Sequence, residues 1–203
     1  FGDCCLDPSK KADWKWKGFP LDKTFTDIQN YIGQGALAFD IKDSEFFGPT
    51  REDGGVDPFC DSMNRVEQFA TRFSELNKKF GITLSHISAR TDTVVRENEP
   101  QKNFRRRQIY KLLAKSGLIG LYLGVESGSK KQLKRFGKGV TVEENRMAIK
   151  ILRGLGLKLE VGFIFFDPLA DIEDLYDNIN FIGESSLYRT DSRIFGSLRV
   201  QEG

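Results

Sequence analysis

Glu126 and Ser127, framed by Gly124 and Gly128 in the segment Leu121-Tyr-Leu-Gly-Val-Glu-Ser-Gly-Ser129, are the residues whose types and spacing most readily do chemistry in this chain. A carboxylate accepts hydrogen bonds from ammonium or hydroxyl groups, a serine hydroxyl donates or accepts, and glycines on either side remove Cβ atoms that would keep a ligand off the backbone. The apolar run before the pair predicts a strand, and Lys130-Lys-Gln-Leu-Lys-Arg135 predicts a short basic helix after it. The polar pair therefore falls at a strand's carboxyl end, where ligands bind in α/β barrels and open parallel sheets alike. The same residues would serve an ordinary loop, with Ser127 or Ser129 as a helix cap, and the segment alone leaves both readings open.

The elements that must position these groups recur along the chain. Val66, Phe69, Phe73, Leu76 and Phe80 follow each other at three- and four-residue steps, Gly81 comes next, and Ile82 to Ser88 reads as a strand. The same order of helix, glycine and strand appears with Phe25, Ile28 and Ile32 before Gly35 and a strand over 36–41. It returns with Ile109, Leu112 and Leu113 before Gly117 and a strand over 118–123, and with Ala148, Ile151, Leu152 and Leu155 before Gly156 and a strand over 157–166. A further helix with Leu175, Ile179 and Ile182 leads to a fifth predicted strand, Ser192 to Val200. Strands alternating with helices imply parallel pairing through right-handed crossovers. Parallel pairing puts the strand ends on one rim, which gathers Asp40, Lys42, Asp43 and Glu45, then Ser88 and Arg90, then Glu126 and Ser127, then Asp167, then Gln201 and Glu202. Such a set matches a ligand carrying an amine, a carboxylate and hydroxyls. Singly, each member also has a purely structural use.

Composition narrows the classes. The chain has 203 residues, 39% hydrophobic and 30% charged, as expected of one globular domain, with an irregular lead-in over 1–19 and the repeats over 20–203. Its 31 basic and 29 acidic residues are spread evenly, so no nucleic-acid surface is indicated, and Arg105-Arg106-Arg107 reads as a solvated helix face. No apolar run is long enough to cross a membrane, and the start at Phe1 lacks the pattern of a signal peptide. Cys4, Cys5 and Cys60 form no C-x-x-C pair, and His86 is the single histidine. The stretch from Phe47 to Asp61 is expected to be a long βα loop, and the chain reads as an internal piece of something longer.

Four segments carry a resemblance. Leu123-Gly-Val-Glu-Ser-Gly-Ser129 with Leu133 to Gly139 and Thr141 to Glu144 closely resembles the fourth-strand region of radical S-adenosylmethionine enzymes. Gly156 to Pro168 resembles the fifth strand in a variant ending in Asp-Pro, and Phe39 to Gly48 resembles the second-strand motif of members that carry a cobalamin-binding domain. Ser197 to Gly203 is similar to the sixth strand. The resemblance implies an α/β fold, a partial (β/α)6 TIM-like barrel with parallel strands, its first strand and cluster loop lying before Phe1. It implies that Glu45 receives the amino group of S-adenosylmethionine, that Glu126 and Ser127 meet its ribose or amino-acid part, and that Lys138 meets its carboxylate. Arg90 would line the cofactor from the third strand, and Asp167 replaces the glycine of the family's fifth-strand motif.

The implied chemistry is reductive cleavage of S-adenosylmethionine to a 5′-deoxyadenosyl radical by a [4Fe-4S] cluster, whose three thiolates come from a C-x3-C-x2-C loop. Cys4, Cys5 and Cys60 lack that spacing, so the cluster ligands are expected upstream and the chain by itself is not expected to turn over. Cobalamin is a further implied cofactor. An electron donor such as flavodoxin or ferredoxin, a small-molecule or peptide substrate and a cytoplasmic location follow in the same way. A non-catalytic ligand-binding or scaffold barrel stays open, as does a phosphate-binding barrel using Gly137-Lys138-Gly139, although that triplet lacks the longer phosphate-loop pattern.

Overall fold

Four parallel strands in the order β1-β2-β3-β4 form the sheet, in a computed structural model that describes residues 18–50 and 57–189. The elements run α1 (Leu21–Gly33), β1 (Ala38–Asp40), α2 (Phe59–Phe80), β2 (Thr83–Arg90), α3 (Thr91–Val94), α4 (Pro100–Lys115), β3 (Leu118–Glu126), α5 (Lys130–Arg135), α6 (Val142–Gly154), β4 (Lys158–Phe163) and α7 (Ile172–Glu184), with a 3-10 turn at Leu187–Arg189. The fifth predicted strand, Gln201, Glu202, Cys4 and Cys5 lie outside the described residues.

Each crossover obeys the helix, glycine and strand order, and Gly35, Gly81, Gly117 and Gly156 all have positive φ. At Gly81, with φ 68°, the N–H bonds Asn77 O at 2.7 Å, ending α2 in a left-handed cap that turns the chain straight into β2. The starts of the last two long helices are fixed by reciprocal capping. Thr141 and Glu144 close a capping box on α6, and Asp171 and Asp174 close one on α7.

The sheet has two unlike faces. Ile87, Ala89, Leu121, Leu123, Val125, Leu159 and Val161 are buried on the helix-covered side, together with Phe69, Phe73, Ile109, Leu113, Leu152 and Phe181 from the helices. The opposite side begins with buried Leu84 and Leu118, paired in register. Above that layer come Asp40, His86 and Gly120, then Ser88, Tyr122 and Glu160, then Arg90, Gly124 and Gly162. Its polar side chains are all at least partly exposed. Strands buried on both faces read as apolar runs, so a polar second face marks the interior of an open barrel that takes in solvent or a ligand.

Two segments depart from expectation. The long loop after β1 is pinned at its start, because Phe46 and Phe47 are buried against Phe69 and Tyr110 at ring separations of 5.3 and 5.0 Å, and helix α2 begins at Phe59. The Arg105-Arg106-Arg107 run is not simply a solvated face. Arg106 is 1% exposed, donates to Asp92 O at 3.0 Å and to Asn103 Oδ1 at 3.1 Å, bonds Glu99, and lies 4.7 Å over the Phe59 ring. A helix-surface pattern of three arginines does not reveal which one turns inward; here the middle one anchors the chain just beyond Arg90.

Candidate functional site

At the carboxyl end of β3 the backbone itself is unusual. Glu126 has φ 68°, and among the described residues only Ser186 shares positive φ without being glycine. Ser127 N–H bonds Val125 O at 2.9 Å, closing a three-residue turn around Glu126, and the pairing of β3 with β4 slips between Gly124 and Glu126. A non-glycine residue in this region carries roughly 1–3 kcal/mol of strain, which persists only where its surroundings over-determine it. They do so here. Asn145 Nδ2 donates to Val125 O and Ser127 O, each at 3.1 Å, and Ile164 N–H bonds Glu126 O at 2.7 Å.

The strained turn aims the Glu126 carboxylate back over its own strand. A Cβ on Gly124 would come within 3.0 Å of Glu126 Oε1, so that glycine makes room for the carboxylate. Lys138 Nζ meets the same oxygen at 3.0 Å. Lys138 is delivered by the end of α5, where Gly137 is left-handed, Gly137 N–H bonds Lys134 O at 3.1 Å and Lys138 N–H bonds Leu133 O at 3.2 Å, the two bonds of a Schellman motif. Arg96 Nη1 then holds Gly139 O at 2.5 Å.

One strand over, a second ion pair stands on the same rim. Arg90 Nη1 lies 3.6 Å from Glu45 Oε1 and its Nη2 lies 3.1 Å from Asp92 Oδ2, with Arg90 and Glu45 each nearly half exposed. Asp43 Oδ1 accepts from Glu45 N–H at 2.9 Å, shaping the loop that presents Glu45. Register places Arg90 opposite Gly124, two residues before Glu126. The rim thus presents Glu126 with Lys138 at the end of β3 and Arg90 with Glu45 at the ends of β2 and β1, with the buried Asp92 behind Arg90.

Ser127 and Asp167 lie behind this rim, in a buried polar network. Ser127 Oγ is 2.6 Å from Gln132 Oε1 and 2.9 Å from Asn178 Oδ1, and accepts from Ser129 N–H at 2.8 Å. Gln132 Nε2 donates to Asp167 Oδ2 at 2.6 Å, and Arg135 Nη2 reaches Asp167 at 2.9 Å and Asp174 at 2.8 Å. Burial acts to raise both carboxyls. For Asp167 it is outweighed by Arg135, Gln132 and the Leu169 N–H, and for Asp174 by Ser129, Arg135 and the Asp171 N–H, so both are held below the ordinary carboxylate range. Gly128 belongs to this layer too, since a Cβ there would collide with the Phe181 side chain of α7. Its missing side chain serves helix packing rather than ligand approach. Gly128→Ala is accordingly expected to cost roughly 1–3 kcal/mol through overpacking, read as a lowered denaturation midpoint.

Thr91, Gln132, Arg135, Asn145, Asp174 and Asn178 are the site-shaping residues that sequence reasoning passed over. Asn145 and Asn178 did leave a signal. Each occupies an inward position of an amphipathic helix, beside Ala148, Ile149 and Leu152 or Phe181 and Ile182, and both are fully buried. His86, further down the polar face, has Nδ1 3.9 Å from Asp40 and Nε2 3.9 Å from Glu160, and lines the interior below the rim.

No family model matches the chain. Among solved structures, the cobalamin-dependent S-adenosylmethionine radical enzyme OxsB with aqua-cobalamin bound superposes with a TM-score of 0.72 at 27% identity, covering 83% of this chain and 23% of that one. The chain is a relative of the radical S-adenosylmethionine enzymes. Their parallel α/β fold, a partial TIM-like barrel, is the one described above. Among curated proteins it is 29% identical to the 4'-phospho-dehydrooxetanocin synthase of Priestia megaterium, over 90% of this chain and 24% of the relative. It is 37% identical to the anaerobic magnesium-protoporphyrin IX monomethyl ester cyclase of Cereibacter sphaeroides, over 75% of this chain and 22% of the relative. The chain therefore spans about a quarter of the length of these curated relatives. The radical S-adenosylmethionine methyltransferase TsrM from Kitasatospora setae shares the fold, with a TM-score of 0.60 at 14% identity over 82% of this chain and 29% of that one.

Proposed function

We propose that the protein containing this chain is a radical S-adenosylmethionine enzyme, and that the rim of paired charges grips the amino-acid end of S-adenosylmethionine. The observation that carries the reading is the pair of ion pairs, Glu126–Lys138 and Arg90–Glu45, on adjacent strand ends around a strained turn. An amino-acid zwitterion presents one ammonium and one carboxylate. Glu126 and Glu45 accept from the ammonium, while Lys138 and Arg90 take the carboxylate. Binding then exchanges internal ion pairs for ligand ion pairs, so selectivity comes from geometry more than from net charge. Ser127 and Asp167 act at one remove in this reading, holding the turn through Gln132, Asn178 and Arg135. A structure of OxsB with aqua-cobalamin and S-adenosylmethionine bound, 26% identical to this chain, supports assigning both small molecules to the present protein.

A [4Fe-4S] cluster would supply the electron that cleaves the sulfonium. Among the described residues no group of His, Cys, Asp or Glu side chains is placed to hold a metal, and Cys60 is exposed at the start of α2. The described residues do not fit the cluster, and its three thiolates are assigned to a segment outside them. The polar interior formed by Asp40, His86, Ser88, Tyr122 and Glu160 receives the substrate, a small molecule or a peptide. An electron donor of the flavodoxin or ferredoxin kind completes the proposal, with a cytoplasmic location. Among the described residues no helix is long and apolar enough to cross a membrane.

The test is anaerobic reconstitution of the full-length protein with iron and sulfide. S-adenosylmethionine affinity is measured first, then 5′-deoxyadenosine after reduction. Binding with deoxyadenosine formation is the expected result. Binding without iron or deoxyadenosine would convert the reading to a non-catalytic binding domain, and absence of binding would remove the ligand assignment altogether.

A further inference from the structure

We infer that Asn145 and Thr91 are positioning residues that set the geometry between the two halves of the rim. The inference rests on the ligand assignment above for its functional meaning, though not for its structural content. Thr91 directly follows Arg90, and its Oγ1 donates to Asn145 Oδ1 at 2.6 Å. The other end of the same amide donates from Nδ2 to Val125 O and Ser127 O, each at 3.1 Å, the two carbonyls that flank Glu126. Thr91 is 1% exposed and Asn145 is not exposed at all.

One planar amide therefore ties the strand end bearing Arg90 to the turn bearing Glu126. The hydroxyl of Thr91 decides which way the amide faces. With Oδ1 engaged by Thr91, Nδ2 must point at the turn, where it donates to both carbonyls beside the slipped pairing. If the amide turned over, its oxygen would face two carbonyl oxygens and the left-handed turn would lose the contacts that over-determine it. The Glu126 carboxylate would then leave the reach of Lys138, and the spacing between the Glu126 and Arg90 ends of the ligand site would loosen. Nothing about this reaches the ligand directly; Asn145 acts only through backbone it holds.

Thr91→Val, nearly isosteric, removes the orienting donor and keeps Asn145. In the full-length protein it is expected to weaken S-adenosylmethionine binding roughly tenfold, the loss of one well-placed hydrogen bond in a charged site. The decisive comparison is a double-mutant cycle with Glu126→Gly. If Thr91 and Asn145 position Glu126, Thr91→Val loses most of its effect on affinity once Glu126 is gone, while it still lowers the denaturation midpoint. An affinity loss that persists undiminished in the Glu126→Gly background overturns the inference in favour of a general structural role. A crystal structure of the Thr91→Val protein gives a readout that needs no ligand. Glu126 should leave the left-handed region or separate from Lys138, and an unchanged turn and ion pair would also overturn the inference. Should the wild-type protein fail to bind S-adenosylmethionine, the functional proposal falls, and the crystallographic comparison still decides whether these two residues hold Glu126.

Discussion

Glu126→Gln in the full-length protein is expected to weaken S-adenosylmethionine binding about tenfold to a hundredfold, the range set by losing a charge-assisted hydrogen bond of roughly 1.5–3 kcal/mol. Glu126→Gly should weaken binding at least as much, yet give the more stable protein of the two. Gln at position 126 keeps a Cβ at φ 68°, whereas glycine adopts that conformation without penalty. Relief of the strain is worth roughly 1–2 kcal/mol and is offset in part by the extra backbone entropy that glycine loses on folding, so a net advantage of about 1 kcal/mol over Glu126→Gln is expected. Isothermal titration with the ligand and urea denaturation without it measure the two quantities separately. Equal stability of the variants would show that the turn is not strained, and undiminished affinity would remove Glu126 from the ligand site. The opposite movement of stability and affinity at one position is what a turn kept for function should show.

Arg135→Met is expected to have the largest effect on stability, and to reshape its pH dependence. Arg135 is the cation shared by Asp167 and Asp174, whose side chains are 4% and 0% exposed. Losing two charge-assisted hydrogen bonds at once is expected to cost about 3 kcal/mol, because Gln132, the Leu169 N–H, Ser129 and the Asp171 N–H still donate to the carboxylates but no cation faces them. The sign with pH follows from the direction of the shifts. In the native protein both carboxyls are held below the ordinary range, so their contribution is present above about pH 4, where unfolded carboxylates ionise, and is lost as pH falls through the lowered values. Without Arg135, burial, the largest influence on either carboxyl, is opposed by fewer donors and moves both upward in the folded state. The variant should then be weakest at neutral pH and recover stability as the pH falls from 7 toward 5, while the native protein stays flat over that interval. Thermal midpoints at pH 7 and pH 5 distinguish the two. A variant that loses stability on acidification, as the native protein does at lower pH, would show that the network tolerates both carboxylates without the guanidinium.

These two expectations also separate the parts of the site. Glu126 lies on the rim and its change is read mainly in affinity. Arg135 lies in the layer that holds Ser127 and Asp167, and its change is read mainly in stability, with affinity falling only as far as the turn loosens.

Much of the architecture was legible in the residues. Repeated amphipathic helices ending in Gly35, Gly81, Gly117 and Gly156 announced a helix, turn and strand unit, because a left-handed glycine both stops a helix and redirects the chain. Period-2 and period-3.6 patterning then fixed which faces meet, and four parallel strands followed. The same alternation placed Arg90, Glu126 and Asp167 toward one rim, since strand ends of a parallel sheet share a side. What the residues alone determined, then, was the unit, the hand of its connection and the edge on which polar groups collect. All of these depend on local backbone preference and on the periodicity of burial.

Only the folded chain decided how those groups divide. Ser127 is 51 residues from its partner Asn178, and Val125 and Ser127, on either side of Glu126, are 20 and 18 from Asn145; no local pattern specifies such distant hydrogen bonds. Ser127 and Asp167 read like Glu126 in sequence, but packing of α5, α6 and α7 turns them inward, where Gln132, Arg135 and Asn178 satisfy them. Arg106 is buried and Arg105 lies against Glu67 for the same reason. The left-handed turn at Glu126 is the clearest case. Propensity argues against a glutamate there, and it is the convergence of Gly124, Asn145, Ile164 and Lys138 from four separate stretches of chain that holds the carboxylate where a ligand can use it.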